Sequence, residues 1–351
     1  MSGPGPTDTK DQGNGISRRD FLRRTAGAAA ITLAAGGLGL TLLDRHGPKA
    51  ESGAKVAQGL GDYTIPEFSG AKARMAIVRG KPAPDGHMDR AAMFERAMSG
   101  LAGPGGLENF IKRGDRVLIK VNAAFATSPM LGATTHPDLI VAVAGLCLKA
   151  GAAHVSITDN PIHSPESCFE LSGIADAARQ SGSKIILPRE ELFTPVSLPG
   201  GTLIQNWPVL TGALKGATKV IAMSPVKDHH RAGASLSLKN FYGFLGGRRN
   251  VFHQDINGVI AELALLIRPT LIVLDGTVSM MSNGPTGGSL SDLKATGMLA
   301  VTTDPVAADS FGMELLGRGI DQAPYIRLAE AAGAGRADYK ALNPQLLDLG
   351  A

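Results

Sequence analysis

Three consecutive stretches decide the fold: Asp115-Arg116-Val117-Leu118-Ile119-Lys120-Val121, then Pro137-Asp138-Leu139-Ile140-Val141-Ala142-Val143-Ala144-Gly145-Leu146-Cys147-Leu148-Lys149-Ala150, then His154-Val155-Ser156-Ile157-Thr158. The first and third are short apolar runs rich in β-branched residues and read as strands. The second is longer, has Pro in its first turn and is stopped by Gly151, which reads as a helix. The same alternation extends outward. Arg74–Arg79, Lys184–Leu187, Thr218–Met223, Thr270–Leu274 and Met298–Thr302 read as strands. Met88–Leu101, Ser167–Gln180, Gln254–Ile267 and Pro305–Leu316 read as helices. The expected fold class is therefore α/β: a largely parallel sheet flanked by helices, with two lobes and a cleft as a further expectation. In such sheets ligands bind beyond the carboxyl ends of the strands.

The chain begins differently. Ser17-Arg18-Arg19-Asp20-Phe21-Leu22-Arg23 precedes a Gly/Ala-rich apolar run from Ala26 to Leu43. Paired arginines before Phe-Leu and a short apolar run predict a twin-arginine signal peptide, with a small-residue cleavage site at Ser52-Gly53-Ala54. The run is too short and glycine-broken for a good membrane span; an uncleaved N-terminal anchor is the alternative. No cysteine precedes Cys147, which argues against a lipoprotein. The expected organisation is residues 1–54 as signal and linker, 55–73 as linker and 74–340 as the α/β domain. The expected location is the periplasm, with the twin-arginine translocase as the partner during export.

Residues 1–50 hold seven Lys/Arg against four Asp, out of a whole-chain charge of +4. The pI near 9.1 therefore comes mostly from the export segment, and a nucleic-acid partner is not expected. Cys147 and Cys168 are the only cysteines, too few for a four-cysteine iron–sulfur cluster; whether they pair is left open.

Four constellations carry candidate chemistry. Lys120-Val121-Asn122 closes a strand, and Thr134-Thr135-His136-Pro137 opens the next helix, where Thr134 or Thr135 is expected as the cap. A helix start beside a lysine also suits an anion. Lys227-Asp228-His229-His230 follows the strand Thr218–Met223 as an expected loop, and Ser237-Leu238-Lys239-Asn240 comes soon after. Imidazoles there suit proton transfer or a transition metal, and lysines suit an anionic substrate. Arg248-Arg249-Asn250-Val251-Phe252-His253 precedes a helix. Asp275-Gly276 stands at an expected strand end, followed by a Gly/Ser segment, Ser282–Ser289; Asp304 before Pro305 reads as an N-cap. The glycines fit neither a P-loop nor a dinucleotide fingerprint.

In that order, Lys120-x-Asn122, Thr135, Gly151-Ala152, Lys227-x-His229, Ser237-Leu238-Lys239-Asn240-x-x-Gly243, His253, Asp275-Gly276 with Gly284-Pro285, and Asp304-Pro305-Val306-Ala307-x-Asp309 resemble the domain-of-unknown-function family numbered 362. The resemblance runs from about Arg74 to Gly335. Many members of that family carry a ferredoxin-like module, whose cysteines are absent here. A more distant similarity is to nickel-pincer lactate racemases, where a His precedes the cofactor-bearing Lys by ten residues and a later His ligates nickel. Here His229 precedes Lys239 by ten, and His253 follows Lys239 by fourteen. Thr134-Thr135-His136-Pro137-Asp138 resembles that group's stretch before a helix, without its Arg.

The resulting expectation is a periplasmic enzyme acting on a small, carboxylate-bearing anion. Lys120, Asn122, Thr135, His136, Lys227 and Asn240 are the expected substrate-binding residues. His229 is the expected acid/base, Lys239 polarises the substrate, and His253 with Asp275 would hold a transition metal such as nickel or iron. The alternatives are a non-catalytic ligand- or metal-binding protein, or a maturation factor serving an exported redox partner.

Overall fold

Each central strand is apolar on both sides, because helices cover both faces of the sheet. In the computed structural model, which describes residues 57, 58 and 60–349, Val220 and Ala222 enter one core while Ile221 and Met223 enter the other. Leu271 and Val273 alternate in the same way with Ile272 and Leu274. Period-two alternation between two buried layers reads in sequence as an unbroken apolar run.

The large sheet has ten strands. In chain order they are β1 (Met75–Arg79), β2 (Arg116–Lys120), β3 (His154–Thr158), β4 (Lys184–Ile186), β5 (Lys219–His229), β6 (Gly233–Ser235), β7 (Leu271–Met280), β8 (Leu293–Lys294), β9 (Met298–Thr302) and β10 (Gln345–Asp348). Across the sheet the order is β10-β1-β9-β7-β5-β2-β3-β4, with β6 paired to β5 and β8 to β7. Along this path β9 alone runs against its neighbours; the other pairings are parallel. Helices α1 (Arg90–Ala102), α2 (Pro137–Lys149), α3 (Pro165–Leu171) and α4 (Ile174–Ser181) lie in sequence among β1–β4. α5 (Ser237–Asn240), α6 (Ile256–Leu266), α7 (Pro305–Leu315) and α8 (Tyr325–Ala331) follow β6. α1, α2 and α4 supply one core and α5–α8 the other. The two expected lobes are thus two helical layers on one sheet within a single compact unit.

The largely parallel α/β expectation holds, and four details differ. The helix expected over Ser167–Gln180 is two helices, parted at Gly173, whose φ of 74° is left-handed. The strands expected to end at Met223 and Asp275 continue to His229 and Met280, so the expected Lys227–His230 loop is largely strand. Polar side chains there mimic a loop because that end of the sheet faces a cavity rather than a core. The domain also exceeds 74–340: Gly61–Asp62 pairs with Ile267–Arg268, and Gln345–Asp348 forms an edge strand on β1. Such short pieces carry too little periodicity to be read. Cys147 and Cys168 are separate, buried thiols, and burial pushes Cys147 up to about 12. The expected signal peptide and linker, residues 1–54, lie outside the described residues. Among the described residues no helix is long and apolar enough to cross a membrane.

Candidate functional site

Strand order reverses between β2 and β5: from β2 the chain moves to β3 and β4, and from β5 it moves the other way to β7 and β9. The crevice beyond the carboxyl ends of strands at such a point is where open α/β sheets bind ligands. A cavity of about 570 Å³ lies there, lined by Asn122 after β2, Asp159 and Asn160 after β3, and Lys227 and His229 on β5. Its volume suits a small molecule.

Beneath this cavity Lys120 is fully buried and closes a polar knot. Its Nζ lies 2.7 Å from Asp159 Oδ1 and donates to Asn240 Oδ1 at 3.0 Å and to the Val121 carbonyl at 2.6 Å. Asn240 Nδ2 donates to the Lys120 and Met223 carbonyls, tying α5 to the end of β2 and the middle of β5. Burial lowers the Lys120 ammonium, and the Asp159 carboxylate partly offsets this. Gly243 passes directly over the pair; a β-carbon there would collide with Asp159 Oδ1 and crowd Lys120 Nζ. Lys120 and Asn240 therefore form the support of the site, and Lys120 is not among the cavity-lining residues.

Three other basic side chains do line it. Lys227, 1% exposed, donates to the Ala133 carbonyl at 2.6 Å and to Asn122 Oδ1 at 3.3 Å. Burial, then the neighbouring Lys239 charge, brings Lys227 down to about 7. Half-buried Lys239 sits 5.1 Å from the Tyr242 ring centroid, and burial followed by the Arg249 charge brings it down to about 8. Arg249 donates to the carbonyls of Tyr242, Leu245 and Pro161, which fix its guanidinium at the cavity wall. None of the three has a carboxylate within salt-bridge distance among the described residues.

The imidazoles are fixed in different tautomers by their neighbours. His229 Nδ1 accepts from the Arg231 and Ala232 amides at 3.2 and 3.1 Å, so the neutral ring carries its proton on Nε2. Burial, reinforced by Lys239 and the adjacent histidines, drives His229 down to about 2. In this tautomer it presents Nε2–H to the cavity as a hydrogen-bond donor. His253 is the reverse: Nδ1 faces the Asn250 carbonyl at 3.1 Å and must donate, leaving a lone pair on Nε2. Burial lowers its pKa as well. His230 Nδ1 faces the Gly284 carbonyl, and its ring stacks on His229 at 5.2 Å.

The remaining expected site residues lie elsewhere. Thr135 is buried and structural: its Oγ1 accepts from Asn122 N–H at 2.8 Å and donates to the Met223 carbonyl. The cap of α2 comes from His136, whose Nδ1 accepts from Asp138 N–H, and not from Thr134 or Thr135. Asp304 does cap α7, accepting from the Val306 and Ala307 amides. His136 and Asp275 line a separate, smaller cavity of about 160 Å³. There Asp275 accepts from Arg90 Nε at 3.0 Å and from Thr277. His253 and Asp275 therefore open onto different cavities, and the expected metal pair does not form. Among the described residues no three His, Cys, Asp or Glu side chains gather to hold a metal ion. The donor set does not fit a transition-metal centre.

His229, Lys239 and His253 do share the large cavity, together with Asn122, Lys227 and Asn240. Sequence reasoning missed Asp159 and Arg249. Asp159 stands immediately after β3, so the strand-end rule that selected Asn122 also points to it. Arg249 lies in the quoted Arg-Arg-Asn stretch, but only the fold brings it to the cavity.

The family model described as "Domain of unknown function (DUF362)" matches residues 117–314, more than half of the chain, and the chain belongs to that family. The matched span contains both cavity walls. The thylakoid-associated protein sll1697 of Synechocystis sp. is 28% identical over 218 residues, covering 58% of this chain and 64% of that protein, just under two thirds of its length.

Proposed function

We propose that this member of the family is an exported enzyme that binds a small, carboxylate-bearing anion in the large cavity and moves a proton on it. One observation carries the reading: Lys239 and Arg249 line the same cavity without carboxylate partners, while Asp159, the acid beside them, is taken by Lys120. Concentrated, unpaired positive charge in a half-enclosed site is stabilised by an anion. Lys239 and Arg249 hold the carboxylate, and the His229 Nε2–H donates to it. His253 Nε2, with its lone pair free, accepts the proton. The Ser17–Arg23 motif supports export, and the name of the thylakoid-associated relative concerns that protein.

The test is calorimetric titration with oxalate, malonate and lactate, followed by solvent-deuterium exchange into the C–H bonds of malonate, lactate and pyruvate. Binding lost in Lys239→Gln and Arg249→Gln, with exchange lost in His253→Ala, supports an enzyme. Binding without exchange or turnover leaves a ligand-binding protein. No carboxylate binding overturns the reading. For export, Arg18→Lys with Arg19→Lys should retain a reporter fusion in the cytoplasm; unchanged delivery rejects the twin-arginine route.

A further inference from the structure

Lys227 is placed unlike the other lysines of the site. Lys120 has a carboxylate partner, and Lys239 has no hydrogen-bond acceptor among the described residues. Lys227 is held by two neutral acceptors, the Ala133 carbonyl and Asn122 Oδ1, with the Phe125 ring centroid 5.4 Å from its Nζ. An ammonium has three hydrogens to place; a neutral amine has two and a lone pair. Two neutral hydrogen-bond acceptors and no counter-ion match the two hydrogens of the neutral amine and leave its lone pair unused, while the Phe125 ring closes the remaining side of the pocket. The charges around it act the same way on balance: Lys239 and Lys120 oppose its ammonium form, and Asp159 alone favours it. A desolvated lysine beside a second cation is a competent nucleophile toward carbonyl carbon.

We propose that Lys227 forms an imine with a small 2-oxo carboxylate whose carboxylate is held by Lys239 and Arg249. The proposal rests on the anion reading above and adds the class of substrate. The Nζ lone pair forms the new N–C bond while the carbonyl π pair moves to oxygen. Both amine hydrogens then leave with that oxygen as water, and C=N remains. Nothing is oxidised or reduced, and no further reactant is consumed. Once protonated, the imine draws electrons from the adjacent C–H bond, and His253 Nε2 in the same cavity is an acceptor for that proton.

The experiment is reductive trapping of the full chain with pyruvate or glyoxylate and cyanoborohydride near pH 7, read by peptide mass spectrometry. Labelling concentrated on Lys227, and at least tenfold lower in Lys227→Arg, is the expected result. Folding of the variant is checked by circular dichroism; if it does not fold, the site distribution in the wild-type protein decides. Label spread evenly over surface lysines, or total label undiminished in folded Lys227→Arg, overturns the proposal. Oxalate, which offers no ketone carbon, separates the two readings. Oxalate binding without a Lys227 adduct overturns the imine alone, whereas a Lys227 adduct without oxalate binding overturns the anion site and leaves the imine standing.

Discussion

The Lys120 ammonium and the Asp159 carboxylate lie 2.7 Å apart with both side chains essentially inaccessible, directly under a cavity whose other basic side chains have no carboxylate partner among the described residues. Two opposite charges buried together roughly cancel their desolvation cost, but one left alone does not. Asp159→Ala should therefore destabilise the fold by about 3–5 kcal/mol. The double variant Lys120→Met/Asp159→Leu should recover most of that loss. Urea denaturation of the single and double variants checks this; additive losses would mean that the pair is not a coupled unit.

Gly243 lies over the same pair without a left-handed backbone, so its requirement is space and not conformation. Gly243→Ala places a methyl group against Asp159 Oδ1 and the Lys120 side chain. The expected loss is about 1–3 kcal/mol, as for overpacking of a well-filled core, together with weaker anion binding as the cavity floor shifts. Thermal melting in the presence and absence of oxalate separates these two effects, and an unchanged melting temperature would contradict the crowding.

The fold was legible because both faces of the sheet are buried: runs such as Val220–Met223 and Leu271–Leu274 need no partner information to be read as strands. The site was legible only in part. Lys227, His229, Lys239 and His253 follow from residue type and position, but their chemistry depends on neighbours distant in the chain. The tautomer of His229 is set by the Arg231 and Ala232 amides, whose hairpin geometry is invisible in residue order. Asp275 misled for a related reason. A carboxylate near a strand end suits a metal, yet its partner Arg90 comes from a helix 185 positions earlier in the chain. Strand order is not encoded locally, so the reversal between β2 and β5 that opens the cavity emerged only from the three-dimensional arrangement.

Lys227 makes the protein's stability depend on alkaline pH. Its pKa falls from the usual lysine value to about 7 on folding, so between about 7 and 10.5 the unfolded chain binds more protons than the folded one. Stability therefore rises with pH across that window, and the cost of burying the amine is greatest below it. Lys227→Met should remove this slope and raise stability near pH 7 by on the order of a few kcal/mol. The same change should abolish trapping while leaving oxalate bound by Lys239 and Arg249. Denaturation curves at several pH values check it; a variant less stable than wild type near pH 7 would refute the account.

Asp275 is assigned to structure by its contact with Arg90, and the small cavity there is separate from the anion site. Asp275→Asn should lower stability by about 3–5 kcal/mol, as expected when one member of a buried pair is neutralised. Oxalate affinity should change by less than about twofold, since the two cavities share no lining residue. Calorimetry on the folded variant provides the check, and a tenfold loss of affinity would restore Asp275 to the functional site.

The position of Lys239 depends on a carboxylate that never reaches the cavity. Asp309, fully buried on α7, accepts from the Ser237 and Leu238 amides at 2.8 and 3.2–3.3 Å and so anchors the start of α5, the short helix that carries Lys239 and Asn240. Burial raises Asp309 to about 7, against 3.8 for an ordinary aspartate. A carboxyl raised on folding contributes most below its unfolded pKa, and that contribution is lost as pH climbs through about 7. Asp309→Asn keeps an acceptor for both amides and removes the ionisation, so it should flatten stability between about pH 4 and 7 with oxalate affinity retained. Asp309→Leu leaves the two amides without a partner and should cost about 1–3 kcal/mol, with oxalate affinity falling as Lys239 loses its fixed position. Equal affinity loss in both variants would place the ionised carboxylate itself, and not the amide anchor, in control of Lys239.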